Sequence, residues 1–210
     1  MPAVAEISRQ FSSRIDQLRG CCNRVDELRV EKQMGLRECE LLYESTFLAA
    51  QGYFEAVLGE LLEECVCGRF RGTTGRYRLI APKSRVHFRG VLTQRRKYVD
   101  YMPYKSLVDT SKMYLHEGRP FSEVPIAQRE MLAHAMKIRN AIAHRSSYAV
   151  KVFRKDVPGV GQLPANRRTP GVLLKRVYRR GPDERYLDLY FDSYEFVVKF
   201  LVHRWTGRRP

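Results

Sequence analysis

Residues 139–144 bring together three side chains that could act on a phosphodiester, those of Arg139, Asn140 and His144. A guanidinium is a permanently charged fork that binds phosphate through two parallel hydrogen bonds. An imidazole exchanges protons near neutral pH, so it can serve as a general acid or a general base. The amide of Asn140 can orient either group. These three residues are therefore candidate catalytic residues for cleavage of a phosphodiester without a metal ion.

The hydrophobic core of the surrounding helix does not account for these polar residues. With Ile138 at zero and about 100° per residue, Ile142 falls at about 40° and marks the core stripe. Asn140 falls at about 200° and His144 at about 240°, so they lie one turn apart on the opposite, outward face. Arg139, at about 100°, lies on the flank, from which its long side chain could reach His144.

A structural role is the competing interpretation of His144. A single histidine is more often structural than catalytic, and an arginine followed loosely by a histidine arises by chance in an arginine-rich chain. The functional interpretation is the stronger one here, because Asn140 follows Arg139 directly and His144 comes four residues later at a helix end. His134, ten residues before His144, is expected to be structural or at the surface.

The charge of the chain points to a polyanionic partner. Its 210 residues contain 38 Lys and Arg against 23 Asp and Glu, a formal net charge of +15. Such a charge raises the local concentration of nucleic acid and speeds encounters with it. The alternative is a generally basic protein that its charge keeps soluble. At this length we expect residues 1–210 to form a single domain with its own core.

Neither a membrane nor a metal ion is expected as a partner. No segment approaches the roughly 18 apolar residues that span a bilayer, and the first residues lack the pattern of a secretory signal. The five cysteines have no zinc-binding or disulfide-framework spacing, so buried or incidental thiols in a reducing cytoplasm are predicted. We accordingly expect a cytoplasmic protein without metal or cofactor.

A second basic feature is the run 65–99, which contains no Asp or Glu and ten Lys and Arg. Tyrosine and phenylalanine alternate with these cations, a combination that suits single-stranded nucleic acid because phosphates need cations and bases stack on rings. The alternative is a solvated basic face whose rings belong to the core. His87 lies in the run and could contact RNA. The predicted RNA-binding residues are Arg76, Arg78, Lys83, Arg85, Arg89, Arg95, Arg96 and Lys97.

The spacing of apolar residues predicts an all-α protein, a bundle of about four to five main helices with a basic, loop-rich insertion. Pro103 is expected to break the third helix, and Pro125 to occupy the first position of the fourth. The last helix is expected to begin at Asp192, with Glu195 completing its cap. The predicted helices span 4–32, 36–65, 94–116, 126–144 and 192–206.

Two further segments have a different composition. Residues 151–170 are rich in Pro, Gly and Arg, which predicts an exposed connection. For residues 172–178 the pattern leaves helix and strand equally open.

The spacing of Arg139 and His144, with four residues between them, resembles the signature of the HEPN superfamily (higher eukaryotes and prokaryotes nucleotide-binding). In that signature a polar residue commonly follows the arginine. The apolar helix that contains residues 53–62 is similar to the helix behind this motif in bacterial members. The similarity covers about residues 36–148 and is closest to the RiboL-PSP type.

The resemblance implies a helical bundle that forms a homodimer, with two copies of the motif in one composite active site. Many members are metal-independent endoribonucleases, often toxins or effectors of defence against phage. By this resemblance His144 would act on the ribose 2′-OH or the leaving 5′-oxygen, Arg139 would hold the scissile phosphate, and Asn140 would orient one of them.

Two other functions remain open at this point. One is a catalytically silent HEPN module that binds RNA, a nucleotide or a partner protein, as some members do. The other is an interaction subunit whose basic surface docks on an acidic antitoxin or regulator. The presence of Arg139, Asn140 and His144 together favours the enzyme.

Overall fold

The computed structural model describes residues 4–68, 78–80, 82–93, 101–180 and 183–206, and within them the chain is mostly helical, as predicted. No helix in these ranges combines the length and hydropathy needed to cross a membrane. The α-helices are α1 Val4–Val30, α2 Leu36–Cys67, α3 Arg85–Thr93, α4 Tyr104–Tyr114, α5 Ile126–His144, α6 Ser147–Asp156, α7 Pro170–Lys175 and α8 Tyr186–Thr206. Strands β1 Val177–Arg180 and β2 Asp183–Arg185 pair antiparallel in a small ribbon.

The predicted helices α1, α2 and α5 are confirmed to within two residues at each end. All three carry a long apolar stripe of helical period, the strongest local signal for a helix. Pro125 comes immediately before α5 rather than at its first position, and its carbonyl accepts a hydrogen bond from the Arg129 N–H at 3.1 Å.

The third predicted helix, 94–116, is only partly right. Residues 94–100 lie outside the described part of the chain. Pro103 does not break a helix but immediately precedes α4, because its extended backbone (φ −66°, ψ 153°) is a normal helix entry. Within the basic run 65–99, residues 85–93 form α3, whose Phe88 is buried against Tyr114 in an edge-to-face ring contact.

The prediction of an exposed connection at 151–170 is only partly right, because most of its residues are exposed but much of the segment is helical. Helix α6 occupies 147–156, and short 3-10 turns follow at Val160–Gln162 and Ala165–Arg167. Ser146 caps α6 by accepting a hydrogen bond from the Ala149 N–H. The segment is held by buried apolar side chains, namely Ala149, Phe153, Val157, Val160 and Leu163. Its prolines and glycines separate these short elements.

The undecided segment 172–178 contains both kinds of structure, since α7 ends at Lys175 and β1 begins at Val177. The predicted start of the last helix at Asp192 is wrong, because α8 begins at Tyr186. The Asp188 carboxylate accepts a hydrogen bond from the Arg185 backbone N–H at 3.1 Å, so the capping pair lies about two turns earlier than expected.

The described residues divide into two compact units. The first unit draws on Met1–Phe11, Phe54–Arg129 and Glu195–Pro210. Its buried side chains include Phe54, Leu58, Leu62, Phe88, Tyr104, Leu107 and Phe121.

The second unit draws on Ser12–Tyr53 and Glu130–Tyr194. Its buried side chains include Ile15, Tyr43, Phe47, Ile138, Phe153, Leu173, Leu187 and Tyr190. The edge of the Phe47 ring meets the Tyr190 ring with 5.8 Å between their centroids. Residues 139–144 belong to this second unit.

Candidate active site

Helix α5 positions the three candidate catalytic residues at its C-terminal end. Its buried stripe consists of Leu132, Ala135, Ile138, Ala141 and Ile142. Asn140 is half-buried and His144 is exposed, so the predicted outward orientation of both is confirmed. The buried stripe anchors the helix while the polar side chains stay accessible from solvent.

The side chain of Arg139 joins the three residues into one cluster. Its Nη1 lies 3.2 Å from Oδ1 of Asn140 and 3.1 Å from Nε2 of His144. A guanidinium carries donors and no acceptor, so both partner atoms accept hydrogen bonds from it. The Nε2 lone pair of His144 therefore faces Arg139, and in a neutral ring the proton is on Nδ1.

The described hydrogen-bond partners of Arg139 are neutral groups. Within the ranges that the structure describes, no carboxylate lies within ion-pair distance of Arg139, whose contacts are the amide and the imidazole. Neutral acceptors bind a guanidinium more weakly than phosphate or carboxylate oxygens do. The cluster is thus able to exchange its internal hydrogen bonds for an anion.

The chain turns directly after His144. Arg145 adopts the left-handed conformation at φ 49°, a conformation that a non-glycine residue adopts at a cost of about 1–2 kcal/mol. Helix α6 then begins at Ser147, so its N-terminal end follows the motif after only two residues. The Arg145 guanidinium lies 4.0 Å from Glu44, the limit of an ion pair.

A second acid-poor run surrounds the motif, and it was not among the features predicted from the sequence. Between residues 131 and 182 the only acidic residue is Asp156. The scarcity of acidic residues is visible in the sequence, but the prolines and glycines of 151–170 favoured the interpretation of a loop. The cations of this run are Lys137, Arg139, Arg145, Lys151, Arg154, Lys155, Arg167, Arg168, Lys175, Arg176, Arg179 and Arg180.

The predicted RNA-binding residues of the run 65–99 have a different environment. Arg85 forms ion pairs with Glu63 and Glu64, and Arg89 Nε donates to Glu63 at 2.6 Å. Arg78 donates to the backbone carbonyls of Cys65 and Gly68. Three of the predicted residues are therefore bound within the first unit rather than directed to solvent alone.

Of the other residues in that prediction, the structure describes Lys83 and His87. Lys83 and His87 are exposed, as an RNA contact would require. The other four residues lie outside the described part of the chain, namely Arg76, Arg95, Arg96 and Lys97. The RNA-binding role of all eight stays a prediction.

His134 is half-buried on α5, in agreement with a structural or surface role. Burial, and then the nearby charge of Lys137, lower the pKa of its imidazole below the ordinary 6.5. Glu130 and Asp156 act in the opposite direction. Its Nδ1 is buried without a hydrogen-bond partner, so protonation of His134 is disfavoured in the folded chain.

A cleft of the second unit does not contain the candidate catalytic residues. It encloses about 430 Å³ beside Leu36 of α2 and the segment 162–167. The cations on its walls already have partners, since Lys175 pairs with Asp26 and Arg167 with Glu40. Among the described residues, no group of three or more His, Cys, Asp or Glu side chains could hold a metal ion.

Comparison with protein-family models, with curated proteins and with solved structures gave no match.

Proposed function

We propose that this chain is a metal-independent endoribonuclease of the HEPN type, with Arg139, Asn140 and His144 as its catalytic residues. One observation carries the proposal: a single guanidinium nitrogen lies within hydrogen-bond distance of both the amide and the imidazole. Phosphate binding, orientation and proton transfer are thereby concentrated at one exposed helix end. The resemblance of residues 139–144 to the HEPN signature supports the same chemistry.

The first step of the mechanism is an exchange of partners at Arg139. A phosphate oxygen is a charged acceptor and binds a guanidinium more strongly than a neutral imidazole does. When the scissile phosphate binds Arg139, the guanidinium leaves Nε2 of His144. The lone pair of Nε2 is then free to accept a proton. The base would thus become active only when substrate is bound.

Cleavage follows by attack of the ribose 2′-oxygen on phosphorus. The 2′-hydroxyl proton moves to Nε2 of His144 while the new bond from oxygen to phosphorus forms. The bond from phosphorus to the 5′-oxygen breaks, and the leaving oxygen receives a proton from a second, protonated imidazole. Arg139 stabilises the charge that develops on the phosphoryl oxygens, and Asn140 orients the guanidinium.

The second imidazole comes from a second copy of the chain. One chain offers a single set of Arg139, Asn140 and His144, and His144 is exposed on the outward face of α5. Apposition of two such faces across a two-fold axis supplies one imidazole to take the proton and one to give it. The composite site of a homodimer is therefore part of the proposal.

The cellular role that fits such an enzyme is that of a toxin or phage-defence effector. An RNA-cleaving activity without a metal requirement needs restraint, and the charge of +15 suits an acidic antitoxin or regulatory partner. Such a partner would bind the same basic surface as RNA and so hold the enzyme inactive.

The ends of the cleavage products test the chemistry. RNA incubated with the protein in the presence of EDTA is expected to yield 2′,3′-cyclic or 3′-phosphate ends and 5′-hydroxyl ends. An oligonucleotide with a single ribonucleotide in a 2′-deoxy strand should be cut only after that ribonucleotide. Dependence on a divalent metal, or products with 5′-phosphates, would refute the mechanism. Tight RNA binding without any cleavage would favour the silent HEPN module instead.

Subunit mixing tests the composite site. Wild-type protein mixed with an excess of His144→Ala protein should lose more activity than dilution alone explains, because mixed dimers carry one imidazole in place of two. Heat-exchanged and unexchanged mixtures of the same composition provide the control. A linear decrease with the wild-type fraction, or full activity of a monomer by light scattering, would contradict the shared site.

A further inference from the structure

The exposed face of α6 combines an aromatic ring with two lysines. Tyr148 is 77 % exposed, the highest value among the tyrosines of the described chain, although tyrosine is normally at least half-buried in a fold. Lys151 and Lys155 are exposed and follow it at i+3 and i+7, so the three side chains share one face. Ala149 and Phe153 anchor the helix from the opposite side.

The charge of this face is not balanced by acids. Asp156 is the only acidic residue of α6, and it pairs with Lys137 at 3.3 Å. Neither Lys151 nor Lys155 has an ion pair with any described residue. Two uncompensated cations beside an exposed ring are the combination that binds the phosphates and bases of an unpaired strand.

The face lies close to the candidate catalytic residues along the chain. Tyr148 follows His144 by four residues, so their Cα atoms are at most about 14 Å apart. Ser146 caps α6 and fixes its start relative to the end of α5. A strand whose phosphate binds Arg139 can therefore place a neighbouring base at Tyr148.

We propose that Tyr148 is a base-stacking platform for single-stranded RNA, with Lys151 and Lys155 binding the flanking phosphates. This inference rests on the proposed ribonuclease function and specifies its substrate as an unpaired strand. Stacking on one ring is tolerant of sequence, because every base has a π-face. Paired RNA keeps its bases stacked inside the helix and so cannot use the ring.

Binding of an RNA analogue that cannot be cut tests the platform. The probe is a fluorescein-labelled single strand with 2′-O-methyl groups throughout, which removes the attacking hydroxyl, and the readout is fluorescence anisotropy. Tyr148→Ala is expected to weaken binding about tenfold, as loss of one base–aromatic stack does. Tyr148→Phe keeps the ring and should bind as wild type does. Lys151→Ala with Lys155→Ala should lower the salt dependence by about 1.4 units of log–log slope, the value for two phosphate contacts with a single strand.

Matched variants control for general effects. Tyr53→Ala removes another partly exposed tyrosine, whose ring face is already covered by the Arg14 guanidinium at 4.9 Å, and should leave binding unchanged. Lys105→Ala with Lys112→Ala removes two exposed lysines of α4 and should leave the salt slope unchanged. Thermal unfolding of each variant checks that the fold is retained.

Three results would overturn the platform. The first is equal binding by Tyr148→Ala and Tyr53→Ala. The second is an equal loss on duplex RNA, which would mean that the face binds only phosphates. The third is a change from dimer to monomer in Tyr148→Ala by light scattering, which would make the ring an interface between copies or with a protein partner. Because the probe cannot be cleaved, a tenfold loss together with no cleavage of natural RNA would refute the ribonuclease and retain the platform.

Discussion

The two acid-poor runs of this chain, 65–99 and 131–182, have similar compositions and different surroundings. In the first, Arg85 and Arg89 bind Glu63, whose side chain is only 8 % exposed. In the second, Lys151 and Lys155 are exposed, and Arg139 contacts only neutral groups. An acid-free window of sequence is therefore not evidence of a free basic surface. Glu63 lies two residues before the first run, so the sequence of the run alone does not reveal that its arginines have an acidic partner.

The comparison also identifies which run is the better candidate for nucleic acid. A cation that already pairs with a carboxylate must give up that partner before it can bind phosphate, so its net contribution to affinity is small. A cation without a carboxylate partner releases counterions from nucleic acid at no such cost. Among the described residues of the second run, Arg139, Lys151 and Lys155 meet this condition. Arg85 and Arg89 of the first run do not.

Neutralising the second run should give the largest effect on binding. Replacement of Lys151 and Lys155 by Gln should lower the log–log dependence of RNA affinity on salt by roughly 0.7 unit for each phosphate of the single strand that is no longer bound. Replacement of Arg85 and Arg89 by Gln should change the slope much less, because their charges are already paired. Salt titrations with one uncleavable strand measure both. Equal slopes for the two variants, or a larger decrease for the first run, would reverse the comparison.

Substitutions in the first run should lower the stability of the protein more than substitutions in the second run. Arg85→Ala with Arg89→Ala leaves the buried Glu63 without its ion-pair partners, and an unsatisfied buried acceptor costs about 1–3 kcal/mol. Urea denaturation should therefore show a free energy of unfolding lowered by about 2 kcal/mol. Lys151→Ala with Lys155→Ala changes only exposed side chains and should stay within about 0.5 kcal/mol of wild type. An Arg85 and Arg89 double variant as stable as wild type would mean that the first run is also a solvated face.

A smaller effect concerns the pH dependence of stability in the second unit. The pKa of His134 is lowered below 6.5, mainly by burial, so the unfolded chain binds a proton more readily than the folded one. The contribution of His134 to stability is therefore complete above about pH 6.5 and is lost as the pH falls through the folded pKa. His134→Gln should flatten this part of the stability profile. Parallel profiles for the variant and the wild type would exclude the desolvated imidazole as the cause.

The parts of the fold that could be predicted from the sequence are those with long local signals. Helices α1, α2 and α5 each carry an apolar stripe over many turns, and the outward orientation of Asn140 and His144 follows from the period alone. Helix α6 was not predicted, because its stripe is short and the segment after it is rich in proline and glycine. Its buried residues Ala149 and Phe153, with Val157 just after the helix, nevertheless follow a four-residue spacing.

Other features depend on contacts between residues far apart in the chain. The pairing of Arg85 and Arg89 with Glu63 spans 22 and 26 residues, so no local pattern reports it. The start of α8 could have been found, since Asp188 is the third residue of a helix from Tyr186 and can accept from the backbone N–H before it, but Asp192 offered an equally good local pattern. The contact of Arg139 with both Asn140 and His144 depends on the side-chain rotamer of Arg139, which the spacing of the residues does not determine.

The most direct test of the central claim is the cleavage rate of His144→Ala beside that of His116→Ala, with a single-stranded RNA in EDTA. Both positions are exposed histidines, so neither substitution should alter the fold. Loss of a general acid–base group is expected to slow cleavage by about 10²–10⁴-fold in His144→Ala, whereas His116→Ala should cleave at the wild-type rate. Equal rates for His144→Ala and wild type would contradict the assignment of Arg139, Asn140 and His144 as a ribonuclease centre.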